Sequence, residues 1–149
     1  MAAANLIDAV VAYLRSSMAT ELGDTVSTPK VFNTYAASVA YPYATVFNPQ
    51  ETYEFQSGSP PTYIADGQMI VTFYATSDTQ AQALARSCII HFMAEESGGD
   101  GDLQFSTGTS LEFRPQSSQS FPIMDEGVQS PTCFARAVTF HFREQFPTV

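Results

Sequence analysis

Cys88 and His91 stand three residues apart in a stretch of helical periodicity. At that spacing both side chains can face the same way, which would allow a thiol–imidazole dyad or two ligands of a metal site. A zinc centre needs four ligands, or three and a water, and the chain holds two Cys and two His. Cys88, His91, Cys133 and His141 would therefore all have to converge, with the second helix lying over the last strand. No C-x-x-C or close His pair accompanies Cys88 and His91, and ordinary packing on a helix face explains those two more simply. Glu95, Glu96, Asp100 and Asp102 surround glycines, yet they lack the alternating acids and distant Glu of a calcium loop. They suit a solvated acidic turn. No G-x-S-x-G elbow, G-x-x-x-x-G-K-[ST] loop or G-x-G-x-x-G fingerprint is present. The expectation is a chain with no catalytic centre, no metal and no cofactor.

Charge narrows the partners. With 15 acidic against 6 basic residues the formal charge is −9. Lys30, Arg15, Arg86, Arg114, Arg136 and Arg143 are scattered along the sequence. Duplex affinity comes from Lys and Arg displacing counterions from phosphates, so tight nucleic-acid binding is not expected. The region Met1–Met18 is apolar but lacks a positive segment, and Asn5 and Asp8 interrupt it, which argues against a secretory signal. No apolar run approaches the roughly 18 residues of a membrane span. The two cysteines read as reduced, core-type thiols, which suits synthesis in the cytoplasm.

These residues need a scaffold, and 149 residues with 44% hydrophobic content fit a single α+β domain over 1–149. Leu6, Ile7, Val10, Val11, Leu14 and Met18 recur at helical spacing after Asn5, a capping residue, and Gly23 can close the helix after Leu22. The region 30–41 reads as a loop with room for a short strand. Tyr43–Phe47 reads as a strand leaving before Pro49, and Thr52–Phe55 as a second one. Gln56–Pro61 is a turn-rich tip of a long hairpin, projecting at 56–63. Gln68–Thr76 is the strongest strand, with Met69, Val71, Phe73 and Ala75 on one face and both faces at least half-buried.

Ser77 and Gln80 form a capping box ahead of Ala81, Leu84, Ala85, Cys88, Ile89 and Phe92, a second helix ending near Glu95. Leu103–Phe105 and Leu111–Phe113 flank a Thr107-Gly108 turn. The Ser-, Gln- and Pro-rich run Pro115–Pro131 reads as a long surface arm, and Phe134–Arg143 as the last strand. The order implies a mainly antiparallel sheet with two amphipathic helices on one face, a long β-hairpin and a long late loop.

The passage QMIVTFYATSDTQAQALARSCIIHFM, together with the N-terminal helix and the Pro-bounded strand YPYATVF, resembles the tail-terminator and tail-completion (neck) proteins of long-tailed bacteriophages. In that family a strand ending in Y-A-x-x-D meets a helix rich in Ala and Leu. The resemblance implies a ring, typically a homohexamer, that caps the tail tube and joins it to the head. Its implied partners are further copies of itself, the tail-tube protein and a head-completion or connector protein. It implies a place in the virion, with DNA passing through an acidic bore that does not grip it. Another virion role (head completion, tail tube or baseplate) is the alternative, and a small Cys/His enzyme is a remoter one. In a ring, subunit contacts are heterologous. The candidate interface residues are Phe55 and Tyr63 at the hairpin, and Phe121, Ile123 and Met124 in the late arm, apolar residues set among polar ones. Each could equally pin its own loop.

Overall fold

The computed structural model describes residues 5–34, 39–58, 62–98, 104–105, 108–123 and 133–147. The element order is α1 (Leu6–Ser17), α2 (Ala19–Leu22), β1 (Val31–Asn33), β2 (Tyr43–Gln56), β3 (Thr62–Ala75), α3 (Asp78–Gly98), β4 (Gln104–Phe105), β5 (Gly108–Ile123) and β6 (Cys133–Pro147). The six strands form one sheet in the order β1-β2-β3-β6-β5-β4. Every pairing is antiparallel except β1 with β2. The fold is therefore α+β, with the helices collected on one face.

Local chemistry sets the helix ends. The Asn5 side chain accepts from the Asp8 backbone N–H at 2.9 Å, satisfying one of the donors that a helix start leaves open. The expected first helix breaks at Met18 into α1 and α2, and α2 closes on Gly23 in the left-handed region at φ 72°. The Ser77 hydroxyl accepts from the Gln80 N–H at 3.2 Å and opens α3, which runs past the expected end at Glu95 to Gly98.

The core lies between α1, α3 and the sheet. Leu14 of α1, Met18 between α1 and α2, Phe92 of α3, and Phe73 and Phe140 of the sheet are fully buried together. The Phe92, Phe113 and Phe140 rings meet at 4.7 to 5.0 Å between centroids, joining α3 to β5 and β6. Such ring pairs add about 0.5–1.5 kcal/mol beyond area burial. The Tyr13 hydroxyl donates to the His91 carbonyl at 3.0 Å, tying α1 to α3, and the Arg15 guanidinium donates to the Val31 carbonyl at 3.0 and 2.7 Å, tying α1 to β1.

Two expectations are corrected. Tyr43–Phe47 and Thr52–Phe55 are one 14-residue strand, because a register shift between Phe47 and Gln50 lets the strand pass Pro49 at a point where the ladder is interrupted anyway. The late arm is not a loop over 115–123: these residues continue β5, paired with β6 from Pro115↔Phe140 to Ile123↔Cys133. Among the described residues β4 pairs only with Gly108 and Thr109, so most of β5 is an edge strand. An edge accommodates proline, and the ladder shifts again between Pro115 and Ser117. The remainder of the arm, 124–131, lies outside the described residues, as does 59–61 at the hairpin tip. The 30–41 region does hold a short strand, β1.

Candidate assembly surface

The pairing register sorts every strand residue onto one of two surfaces, because side chains alternate along a strand. Ala44, Val46, Val71, Phe73, Val138 and Phe140 point to the helices and are buried. Beyond the bulge the same surface continues with Glu51, Tyr53 and Phe55 of β2, opposite Gly67, Ala65 and Tyr63 of β3. This stretch lies past the helix layer. Tyr53 is 62% and Phe55 55% exposed, and the Phe55 and Tyr63 rings meet edge-on at 5.3 Å.

Where this hairpin leaves the helices, two carboxyl groups approach the start of α1. Glu51 and Glu144 line a cavity with Asn5, Leu6, Ile7, Asn48 and Met69. Glu51 accepts from the Asn48 amide at 2.6 Å and from the Tyr53 hydroxyl at 2.5 Å, bonds that suit an ionised carboxylate. Burial, and then the Glu51 charge, push Glu144 up to about 7. The Glu51 hydrogen bond and charge also raise Tyr53. Gly67 permits this geometry: a Cβ there would sit 2.3 Å from the Gln50 carbonyl oxygen and 2.8 Å from the Phe142 ring.

Among the described residues the opposite surface of the sheet carries no helix. At one end Tyr41, Tyr43 and Tyr74 stack in sequence, at 5.6 and 4.8 Å between centroids and 14° and 18° between planes, with Phe32 edge-on to Tyr43 at 6.5 Å. Burial, then Tyr74 and Cys133, raise the Tyr43 hydroxyl. Phe47 and Tyr41 are 44% and 41% exposed. Towards the other end of this surface, Asp66 lies 3.1 Å from Arg143 Nε and 3.4 Å from His141 Nε2, and Arg114 faces His141 across the ladder.

The residues first considered for chemistry do not converge. Cys88 is buried on the helix side, and burial, with a smaller effect of Glu21, pushes its thiol far up, away from the reactive thiolate. His91 Nε2 turns to Glu21 Oε1 at 3.5 Å. Cys133 and His141 share the helix-free surface of β6, so the sheet lies between them and Cys88. Among the described residues no group of three or more His, Cys, Asp and Glu could hold a metal ion, and no helix is long and apolar enough to cross a membrane. Asp100 and Asp102 lie outside the described residues. Of the candidate interface residues, the structure brings Phe55 and Tyr63 together. Phe121 and Ile123 occupy register positions opposite Ala135 and Cys133, and Met124 lies outside the described residues. Sequence reasoning missed Tyr41, Phe47 and Tyr53, and the exposed Ile90 and Met93 on the outside of α3. Their signal was an apolar residue on the wrong side of each periodicity.

No family model matches the chain, and no curated protein does. Among solved structures, it is similar to a chain of the native gene transfer agent virion particle, with a TM-score of 0.55 and 15% sequence identity over 91% of each chain. Nearly the whole of the two chains shares one fold.

Proposed function

We propose that this chain is a virion structural protein, and more specifically a ring-forming tail terminator or neck component that caps a tail tube and joins it to a head. The observation that carries the reading is the fold shared, over 91% of each chain, with a chain of a gene transfer agent virion. Two further features support it. The strand-to-helix passage from Gln68 to Met93 has the pattern of tail terminators, and the Tyr53–Phe55–Tyr63 surface leaves aromatic area exposed at one end of the molecule, as expected of a subunit contact.

In this role the chain performs no chemistry. Its work is geometric: subunits place unlike edges against one another, close a ring, and present one rim to the tube and the other to the head. A net charge of −9 lets DNA traverse the bore without adhering to it. The test is the solution mass of the purified protein with negative-stain imaging. A closed ring of about six copies supports the terminator role. Rings should not retard duplex DNA in a mobility-shift assay at low salt. Tight duplex binding, or open filaments in place of rings, would count against the reading.

A further inference from the structure

We propose that Glu144 and Glu51 form a proton-operated latch: while Glu144 is protonated the outer half of β2, Gln50–Gln56, stays closed on the sheet, and its ionisation lets that half peel away. The inference stands apart from the ring reading, since it concerns how a single chain holds its own hairpin.

The pairing makes the outer half of β2 the part that can move. Among the described residues β1 pairs only with Ala44, Thr45 and Val46 of β2, so Gln50–Gln56 are held in the sheet by β3 alone, from Gln50↔Gln68 to Gln56↔Thr62. The register shift between Phe47 and Gln50, with Pro49 inside it, separates the two halves and supplies a hinge. β3 is paired with β6 along its whole length, so an opening falls on β2. Tyr53 and Phe55 are largely exposed, and their burial anchors the segment little. Segments with few buried apolar contacts open at the low end of a protein's stability range.

The carboxyl pair sits where this segment meets the rest of the molecule. Between Glu51 and Tyr53 of β2 and Phe142 and Glu144 of β6, β3 presents only Gly67 and Ala65. These short residues leave the cavity that Glu51 and Glu144 line, with Asn5, Leu6 and Ile7 of the α1 start and Asn48 beside them. Its side-chain donors are already used: the Asn48 amide and the Tyr53 hydroxyl both donate to Glu51. Asn48 Oδ1 is buried with no partner. A proton on Glu144 turns an acceptor into a donor in this acceptor-rich space, and its loss sets a second negative charge beside Glu51. The surroundings offer that charge no cation. β2 brings Glu51 and Tyr53, β3 brings Tyr63 one row further out, β5 brings the uncharged Ser110, and α1 brings Asp8 just after its lining residues. No Lys, Arg or His lines the cavity, and Arg143 pairs with Asp66 on the other surface. The positive end of α1 favours the charged form, but burial and the Glu51 charge outweigh it and hold Glu144 up to about 7. Ionisation therefore falls near neutral pH, and the repulsion is relieved when Glu51 leaves with its strand.

Native-state hydrogen exchange on the full chain, at pH 6 and pH 8 and corrected for intrinsic rates, reads the opening directly. If Glu144 regains its ordinary 4.5 in the open strand, linkage makes the opening of Gln50–Gln56 about tenfold more frequent at pH 8 than at pH 6. Low urea, which promotes unfolding in proportion to the surface exposed, should leave this local exchange unchanged while accelerating that of β3 and β6. Glu144→Gln should give Gln50–Gln56 the same protection at both pH values, and Glu51→Gln should shrink the pH effect. Carboxyl 13C NMR should show Glu144 titrating at about 7. Four outcomes would overturn the latch: protection of Gln50–Gln56 that ignores pH in the wild type; a tenfold change that survives in Glu144→Gln; exchange of Gln50–Gln56 with the urea dependence of β3 and β6, which is unfolding of the whole molecule; or a Glu144 midpoint at its ordinary value.

Discussion

At the scale of single residues, Glu144 is a carboxyl that burial disfavours in its charged form. Its carboxyl sits near the root of the hairpin beside Glu51, whose own oxygens are already engaged by Asn48 and Tyr53. Because the folded state holds Glu144 up to about 7 against an ordinary 4.5, folding favours the protonated form. That contribution is fully present below about pH 4.5 and is lost as pH rises through 7. Glu144→Gln, which keeps the neutral shape, should therefore be more stable than wild type at pH 8 by about 1 kcal/mol after allowance for solvent screening, with the gap closing towards pH 5. Urea unfolding at both values measures it, and a constant difference would show that the carboxyl does not titrate in this window. Gly67 offers a second residue-scale test. A Cβ there collides with a backbone oxygen that cannot swing aside, so Gly67→Ala should cost about 1–3 kcal/mol in the same assay. A neutral outcome would mean that the bulge at Gln50 relaxes freely.

At the scale of elements, what was legible in the sequence is what local chemistry decides. Asn5 and Ser77 cap α1 and α3 because their oxygens reach N–H groups three residues on. Met69, Val71, Phe73 and Ala75 alternate because β3 is sandwiched between two strands, with the helices above it. The misread elements are those made by distant partners. Pro115–Ile123 has neither apolar alternation nor strand composition, and β6 holds it in the sheet along its whole length; strand preference reflects such neighbours more than intrinsic propensity. Pro49 looked like a strand end because a bulge is invisible until the partner's register is known. The candidate site divides in the same way. Phe55 and Tyr63 are apolar residues flanking an obvious turn, whereas the Tyr41–Tyr43–Tyr74 stack exists only through the pairing of Tyr43 with Tyr74 across 31 positions of sequence, 74 − 43. The clasp of α3 on the sheet can be tested directly. Phe92 contacts Phe113, Phe140 and Tyr13, so Phe92→Ala should destabilise by about 3–5 kcal/mol. A loss under 1 kcal/mol would mean that α3 is held by something other than this ring cluster.

At the scale of the whole molecule, the described helices cover one side of the sheet, while Tyr41 and Phe47 on the other side and Tyr53 and Phe55 on the hairpin are exposed. Among the described residues the thiols and imidazoles lie apart, with Cys88 sealed in the core and each histidine beside a carboxylate. The exposed aromatic residues lie on both sides of the sheet, Tyr41 and Phe47 on one and Tyr53 and Phe55 on the other, and Ile90 and Met93 are exposed on α3. The fold is shared over 91% of its length with a chain of a gene transfer agent virion, and the role proposed above would use these exposed residues as contacts. The most direct measurement is to image particles made with an epitope-tagged copy of this chain, alongside particles made without it. The account predicts label at the junction of head and tail, and, without the chain, heads detached from tails of uncontrolled length. Normal, joined particles formed in its absence, with no label on those formed in its presence, would contradict it.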